Sequence, residues 1–234
     1  MSTNTFASFD QGNLSLDVLD RHTKDPGKVA LKKFNGHEWQ DMTLGDFHGH
    51  VTSAAKGLIA HGVRPGSPVA ILAKTRYEWT VLDYAVWWLG AISVPIYETS
   101  SASQISWILR DSATTHLFYE SDEHRERVDT IRPDAPLLTE VLPISTVLTD
   151  LAHIGESVSD ETLEGFRSAL SSETIATIIY TSGTTGDPKG CQLTHGNFRA
   201  ELDGAHQMLG ELFDRDDAST LLFLPLAHVF ARII

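Results

Sequence analysis

Apolar positions along this chain keep two rhythms. In "MTLGDFHGHVTSAAKGLIAHGV", Leu44, Phe47, Val51, Ala55, Leu58 and Ile59 recur at helical spacing, with Thr43 placed as N-cap and Gly62 as a stop. Continuous apolar runs of strand length stand in "PVAILAK", "ISVPIY" and "THLFYE". Between them "RYEWTVLDYAVWWLGA" predicts a helix ended by Gly90, with Trp79, Leu82, Val86 and Leu89 on one face and Trp87 and Trp88 in the same core. "SASQISWILRDS" predicts another helix. Strands alternating with helices over short connections predict an α/β fold with a mostly parallel sheet flanked by helices.

Residues 1–120 make up that first α/β part. Residues 121–172 read differently: they are acidic, carry Pro133, Pro136 and Pro143, and lack a strong period. They predict a surface excursion, with a helix at "DETLEGFRSALSS". Residues 173–234 open a second α/β part: the β-branched strand "ETIATIIY", a loop, the short strand "CQL" and a helix from Thr194 with Phe198, Leu202, Ala205 and Leu209 on one face. "TLLFLPL" reads as a last strand. The chain stops at "HVFARII" without a cap, polar tail or finished element, so it is expected to be an N-terminal part of a longer protein. Alone it should be inactive and poorly behaved, because an uncovered apolar strand edge is an aggregation site.

Charge and composition narrow the partners. Over 234 residues the formal net charge is -13, so a basic footprint for nucleic acid is lacking. One cysteine, Cys191, excludes an internal disulfide framework and fits a reducing, cytoplasmic compartment. With no partner identifiable as an activating base, it reads as a buried or inert thiol. "VLDYAVWWLGAISVPIY" and "LLFLPLAHVFARII" are broken by Asp83 and Pro95, and by Pro225, His228 and Arg232, and fall short of a spanning helix. They read as buried elements, and peripheral contact with a membrane stays open. His48 and His50, two apart on a predicted helix, point apart, so a shared zinc is not expected.

The chemistry gathers in "IIYTSGTTGDPKG", residues 178–190. A strand running straight into glycines and hydroxyls presents backbone N–H groups and side-chain donors at the carboxyl edge of a sheet, where α/β folds bind ligands. Lys189 adds a cation on a long stem, so phosphate is the natural target; a Ser/Gly-rich hairpin turn with a solvated lysine is the bland alternative. The Walker arrangement is excluded. Pro188 precedes Lys189 and Cys191 stands where the hydroxyl two residues after the lysine should be, so no helix opens at Gly186 and the chain turns back into a strand.

"YTSGTTGDPKG" resembles, almost letter for letter, the signature loop of the adenylate-forming superfamily of acyl-CoA synthetases, adenylation domains and firefly-type luciferases. "LTHGNF" and "LPLAHVF" are similar to the family's following motifs, and residues 62–112 resemble its long-chain fatty acyl-CoA synthetase branch. The likeness runs from about residue 15 to the end and is weakest over 121–172. It implies that this is the N-terminal part of the large domain, interrupted before the second subdomain is complete.

The resemblance also implies ATP-dependent activation of a long-chain fatty acid to acyl-AMP, then to acyl-CoA, with ATP, Mg2+ and coenzyme A as cofactor and co-substrates. Thr181, Ser182, Gly183, Thr184, Thr185 and Gly186 would surround the phosphates, Thr181 reaching the α-phosphate, and Lys189 would neutralise charge. His228 matches the position beside the substrate carboxylate; on the residues alone it is a strand-end histidine bonded to backbone. Phe230 and Arg232 are placed toward an acyl channel. The later "YGxTE" and "YxxGD" segments, the hinge and the small C-terminal domain are absent, so the metal and ribose ligands have no positions here. Two other products stay open: a ligase that hands the acyl group to a carrier protein, and a non-catalytic truncated relative.

Overall fold

The computed structural model describes residues 12–181, 187–213, 215 and 218–232. It begins with α1 (Ser15–Lys24) and a hairpin of β1 (Val29–Phe34) and β2 (Trp39–Thr43), which form a two-stranded antiparallel sheet of their own. Then come α2 (Leu44–Ala60), β3 (Pro68–Leu72), α3 (Tyr77–Trp88), β4 (Ile92–Ile96), α4 (Ala102–Asp111) and β5 (His116–Tyr119). These are the helices and strands that the apolar rhythm predicts. Thr43 and Asp46 close a capping box on α2, and Ser101 and Gln104 do the same for α4. Gly62 and Gly90 follow α2 and α3 at φ +91 and +69, where the chain has left the helix.

The expected excursion is not on the surface. It supplies α5 (Asp122–Ile131), β6 (Glu140–Pro143), α6 (Asp150–Gly155) and α7 (Asp160–Ser168). Val128, Ile131, Leu138, Val141, Ile144, Val147, Leu151 and Leu163 from this stretch are all buried. Single apolar residues spaced among charges bury one narrow stripe each, which a strong period would not reveal. The helix expected over 160–172 forms as α7.

After α7 come β7 (Ile175–Thr181), β8 (Lys189–Thr194) and α8 (His195–Phe213). The main sheet runs β6-β5-β3-β4-β7-β8, parallel from β6 to β7, with β8 antiparallel at its edge. So the strand expected to open a second part shares the sheet of the first. Two other expectations need correction. Residues 220–226 form no strand, and Leu221 and Phe223 are exposed: no strand among the described residues pairs with them. Leu209 is also exposed, at a kink in α8 (φ -127, ψ 15), whereas Phe198 and Leu202 of the predicted face pack into the core.

Alternation along the strands divides the core. Val69, Ile71 and Phe118 point toward α2 and α3, while Ala70, Leu72, Val94, Leu117, Ile178 and Tyr180 point toward α4 and α5. α3 departs from its predicted single face: ten of its twelve residues are buried, Glu78 and Asp83 included. Each carboxylate meets a cation distant in sequence, Lys33 at Glu78 and Arg232 at Asp83, and Glu78 also meets the neighbouring Arg76. Trp87 and Trp88 lie in the core as expected.

His195, fully buried at the start of α8, accepts a hydrogen bond from the Leu14 amide at 3.2 Å. Burial, helped by the nearby Arg199 charge, pushes its pKa down to about 4. The unfolded chain takes up this proton near pH 6.5 and the folded one does not, so folding stability should fall as pH drops from about 6.5 toward 4. Denaturant midpoints measured across that range check it, and His195→Gln should flatten the slope.

Candidate functional site

The carboxyl ends of β3, β4, β5 and β7 all reach one edge of the sheet, and β8 starts there. From β3 the chain crosses to β4 on one side and later to β5 on the other, so a topological switch point lies at the carboxyl end of β3, where β5 adjoins it. Two cavities open at it. One of about 600 Å³ is bordered by Lys74, Glu98, Glu120 and Arg127; a second of about 280 Å³ lies between Lys74, Thr75 and Glu98 and the chain at Leu222, Phe223 and Pro225.

Lys74, Thr75 and Glu98 were not singled out in the sequence. Their signal was there: each is among the first polar residues after an apolar strand run. Thr75 holds residues 224–226 over the end of β3, donating from Oγ1 to the Leu224 carbonyl at 2.6 Å and accepting from the Leu226 amide at 3.3 Å.

Among the predicted site residues, Thr181 and Lys189 come together. β7 and β8 pair so that Thr181 stands directly opposite Lys189, both exposed. Directly opposed residues carry their side chains on one face, with Cβ atoms roughly 5 Å apart. A hydroxyl and an ammonium therefore sit side by side at the sheet edge. Ser182, Gly183, Thr184, Thr185 and Gly186 lie outside the described residues. The return strand after Pro188 has the form the sequence predicted.

The stem is closely packed. At Gly190, opposite Tyr180, an added Cβ would stand 2.8 Å from Ile178 Cγ2 and 3.0 Å from Tyr180 Cζ, so only glycine fits there unshifted. Gly190→Val should destabilise the fold by about 1–3 kcal/mol through overpacking, read as a lowered unfolding midpoint.

His228 lies apart from this pair in sequence, in a turn at the surface. Its amide donates to the Pro225 carbonyl at 2.9 Å, and its Nδ1 accepts from the Phe230 amide at 3.3 Å. The bland expectation of a backbone-bonded histidine is thus realised at Nδ1. The 3₁₀ turn Val229–Arg232 that follows is anchored by Arg232, whose side chain is buried against Asp83. Its guanidinium meets both oxygens of Asp83 at 2.7 Å, donates to Thr177 Oγ1 at 2.9 Å, and lies within 5.4 Å of the ring centres of Trp79, Trp87 and Phe198. Burial raises the Asp83 pKa, and Arg232 offsets part of that rise. Phe230 is exposed.

The other candidates sort plainly. Cys191 is exposed rather than buried. His48 stacks on His22 at 4.2 Å and His50 Nδ1 meets the Tyr77 hydroxyl at 2.8 Å, so the two point apart as expected. Among the described residues no group of three or more His, Cys, Asp or Glu could hold a metal ion. The Mg2+ implied by the loop thus finds no ligand set in them. No described helix is long and apolar enough to cross a membrane.

Known proteins resemble this chain over most of its length. The chain is 42% identical over 233 residues to the long-chain-fatty-acid--CoA ligase FadD15 of Mycobacterium bovis, covering 98% of this chain and 39% of that protein. It spans about two fifths of that relative's length. Its fold matches the inhibitor-bound N-terminal domain of FACL13 from Mycobacterium tuberculosis with a TM-score of 0.74 and 26% identity, over 94% of this chain and 53% of the other. O-succinylbenzoate coenzyme A synthetase from Bacillus subtilis, solved with AMP, shares the fold at a TM-score of 0.70 and 22% identity, over 95% and 52% of the two chains. The family described as AMP-binding enzyme matches residues 19–234, and the chain belongs to it.

Proposed function

We propose that the full-length protein activates a long-chain fatty acid with ATP and passes it to coenzyme A. One observation carries the reading: Thr181 and Lys189 face each other across a strand–loop–strand at the sheet's carboxyl edge, in a chain 42% identical to a long-chain fatty acid ligase. A carboxylate resists nucleophiles because its charge is delocalised over two oxygens. Attack by that carboxylate on the α-phosphate of ATP forms acyl-AMP and releases pyrophosphate. The thiol of coenzyme A then displaces AMP, leaving a thioester. Such in-line chemistry asks the protein chiefly for positioning and charge stabilisation.

In this reading Thr181 reaches the α-phosphate, Ser182, Gly183, Thr184, Thr185 and Gly186 wrap the departing phosphates, and Lys189 neutralises their charge. His228 stands beside the acid's carboxylate, its Nε2 being the nitrogen left for that contact. Mg2+ would neutralise phosphate charge from ligands elsewhere in the longer protein, together with the ribose contacts and the small C-terminal domain. Residues 173–234 lead toward that further chain. A cytoplasmic enzyme meeting its acid at a membrane surface fits the free thiol and the apolar substrate.

The test is exchange of labelled pyrophosphate into ATP by the full-length protein. Palmitate should support it; exchange with acetate or amino acids but not palmitate would overturn the long-chain assignment. Oleate, ATP and coenzyme A should then yield oleoyl-CoA. Oleoyl-AMP that discharges only onto a carrier-protein thiol would make the carrier the acceptor.

A further inference from the structure

We propose that Trp107 and Asp111 on α4 are positioning residues for the nucleotide phosphates, holding the two stems between which the signature loop runs. The inference rests on the function proposed above. Trp107 Nε1 donates to the Pro188 carbonyl at 2.8 Å, and the Tyr180 hydroxyl donates to Asp111 Oδ2 at 2.6 Å. Tyr180 immediately precedes Thr181 on the outgoing strand, and Pro188 immediately precedes Lys189 on the returning one. Four residues apart, Trp107 and Asp111 share a face of the helix. One face of one helix therefore grips both stems, each one residue from a side chain that would meet phosphate.

The grip on Pro188 is placed where the sheet supplies none. Pro188 has no N–H and lies outside the β7–β8 ladder, which begins at Lys189, so the Trp107 bond is what fixes its carbonyl. Tyr180 faces away from Thr181, and its ring lies over Gly190, where a Cβ would come within 3.0 Å of it. From there its hydroxyl reaches α4. Burial, reinforced by the Asp111 carboxylate, raises the phenol pKa, so the hydroxyl keeps its proton and remains a donor. α4 is itself a rigid mount: its start is closed by the Ser101–Gln104 box, and Ile105, Ile108 and Leu109 are buried under the sheet. Groups set on a rigid element hold reactive geometry better than a loop can alone. Misplacement by about 1 Å can cost about 10²-fold in rate.

The experiment uses the full-length protein with Trp107→Phe, which removes one donor and keeps an aromatic ring, and Tyr180→Phe, which removes only a hydroxyl. Each should lower kcat/KM for ATP in palmitate-dependent pyrophosphate exchange by about 10- to 10²-fold. KM for palmitate and transfer from preformed palmitoyl-AMP to coenzyme A should stay near wild type. The double variant should lose less than the product of the single losses, because both grips fix the same pair of facing stems through one helix. Wild-type exchange rates in both variants, or equal losses in both half-reactions, would overturn the inference and leave the proposed function standing. Absence of acid-dependent exchange in the unaltered protein would overturn both.

Discussion

Lys189→Ala in the full-length protein should slow acyl-adenylate formation by about 10²–10³-fold, the loss seen when one positioned donor is removed from a developing charge. Transfer of a preformed acyl-AMP to coenzyme A should stay close to wild type. The asymmetry follows from where the charge goes. Lys189 opens β8 beside Thr181, at the edge where the departing phosphates would lie. Pyrophosphate leaves with the first step, so the second proceeds without the charge that Lys189 faces. Single-turnover measurement of the two half-reactions separates them. Equal losses in both would show that Lys189 supports the fold rather than the phosphates. Its exposed side chain argues against that outcome.

Asp83→Ala should destabilise the protein by about 3–5 kcal/mol, the range for removing one partner of a buried ion pair. The Asp83 and Arg232 side chains are only 4% and 2% exposed. Without Asp83 the guanidinium would keep one hydrogen bond to Thr177 and three aromatic neighbours, but no counter-charge. Asp83→Leu combined with Arg232→Met should cost much less than the sum of the single changes, because an apolar pair leaves no charge buried. Denaturant unfolding followed by tryptophan fluorescence reads this directly, since Trp79 and Trp87 flank the guanidinium. Arg232 also ties the turn after His228 to β7, so the unfolding loss should come with a weakened active site.

How legible these features were depended on how each residue is satisfied. α2, α3, α4, β3, β4, β5 and β7 could be read because apolar runs, caps and glycine stops agreed with one another locally. The stem of the loop was legible too: Pro188 forbids a continuing helix there, and β8 follows. β6 was hidden because a strand of four residues at a sheet edge needs little more than Val141 inside. α1 and the β1–β2 hairpin were missed because their apolar residues are few and partly exposed, Phe34 and Trp39 among them. "TLLFLPL" misled in the opposite direction: apolar composition gives strand propensity, but a strand exists only with a pairing partner. Arg232 misled because a cation in an apolar motif suggests a ligand, whereas its partner Asp83 lies 149 residues away. Side-chain bonds over such separations, Trp107 to Pro188 included, have no local signature.

The measurement that bears most directly on the account follows oxygen. Palmitate labelled with 18O in both carboxyl oxygens is turned over by the full-length protein with ATP and coenzyme A, and the products are weighed by mass spectrometry. If the carboxylate attacks the α-phosphate, one acid oxygen stays on phosphorus when the thiol breaks the acyl C–O bond. AMP should therefore carry one 18O per turnover and pyrophosphate none. Label in inorganic phosphate with ADP as the second product would place the attack on the γ-phosphate and contradict the account.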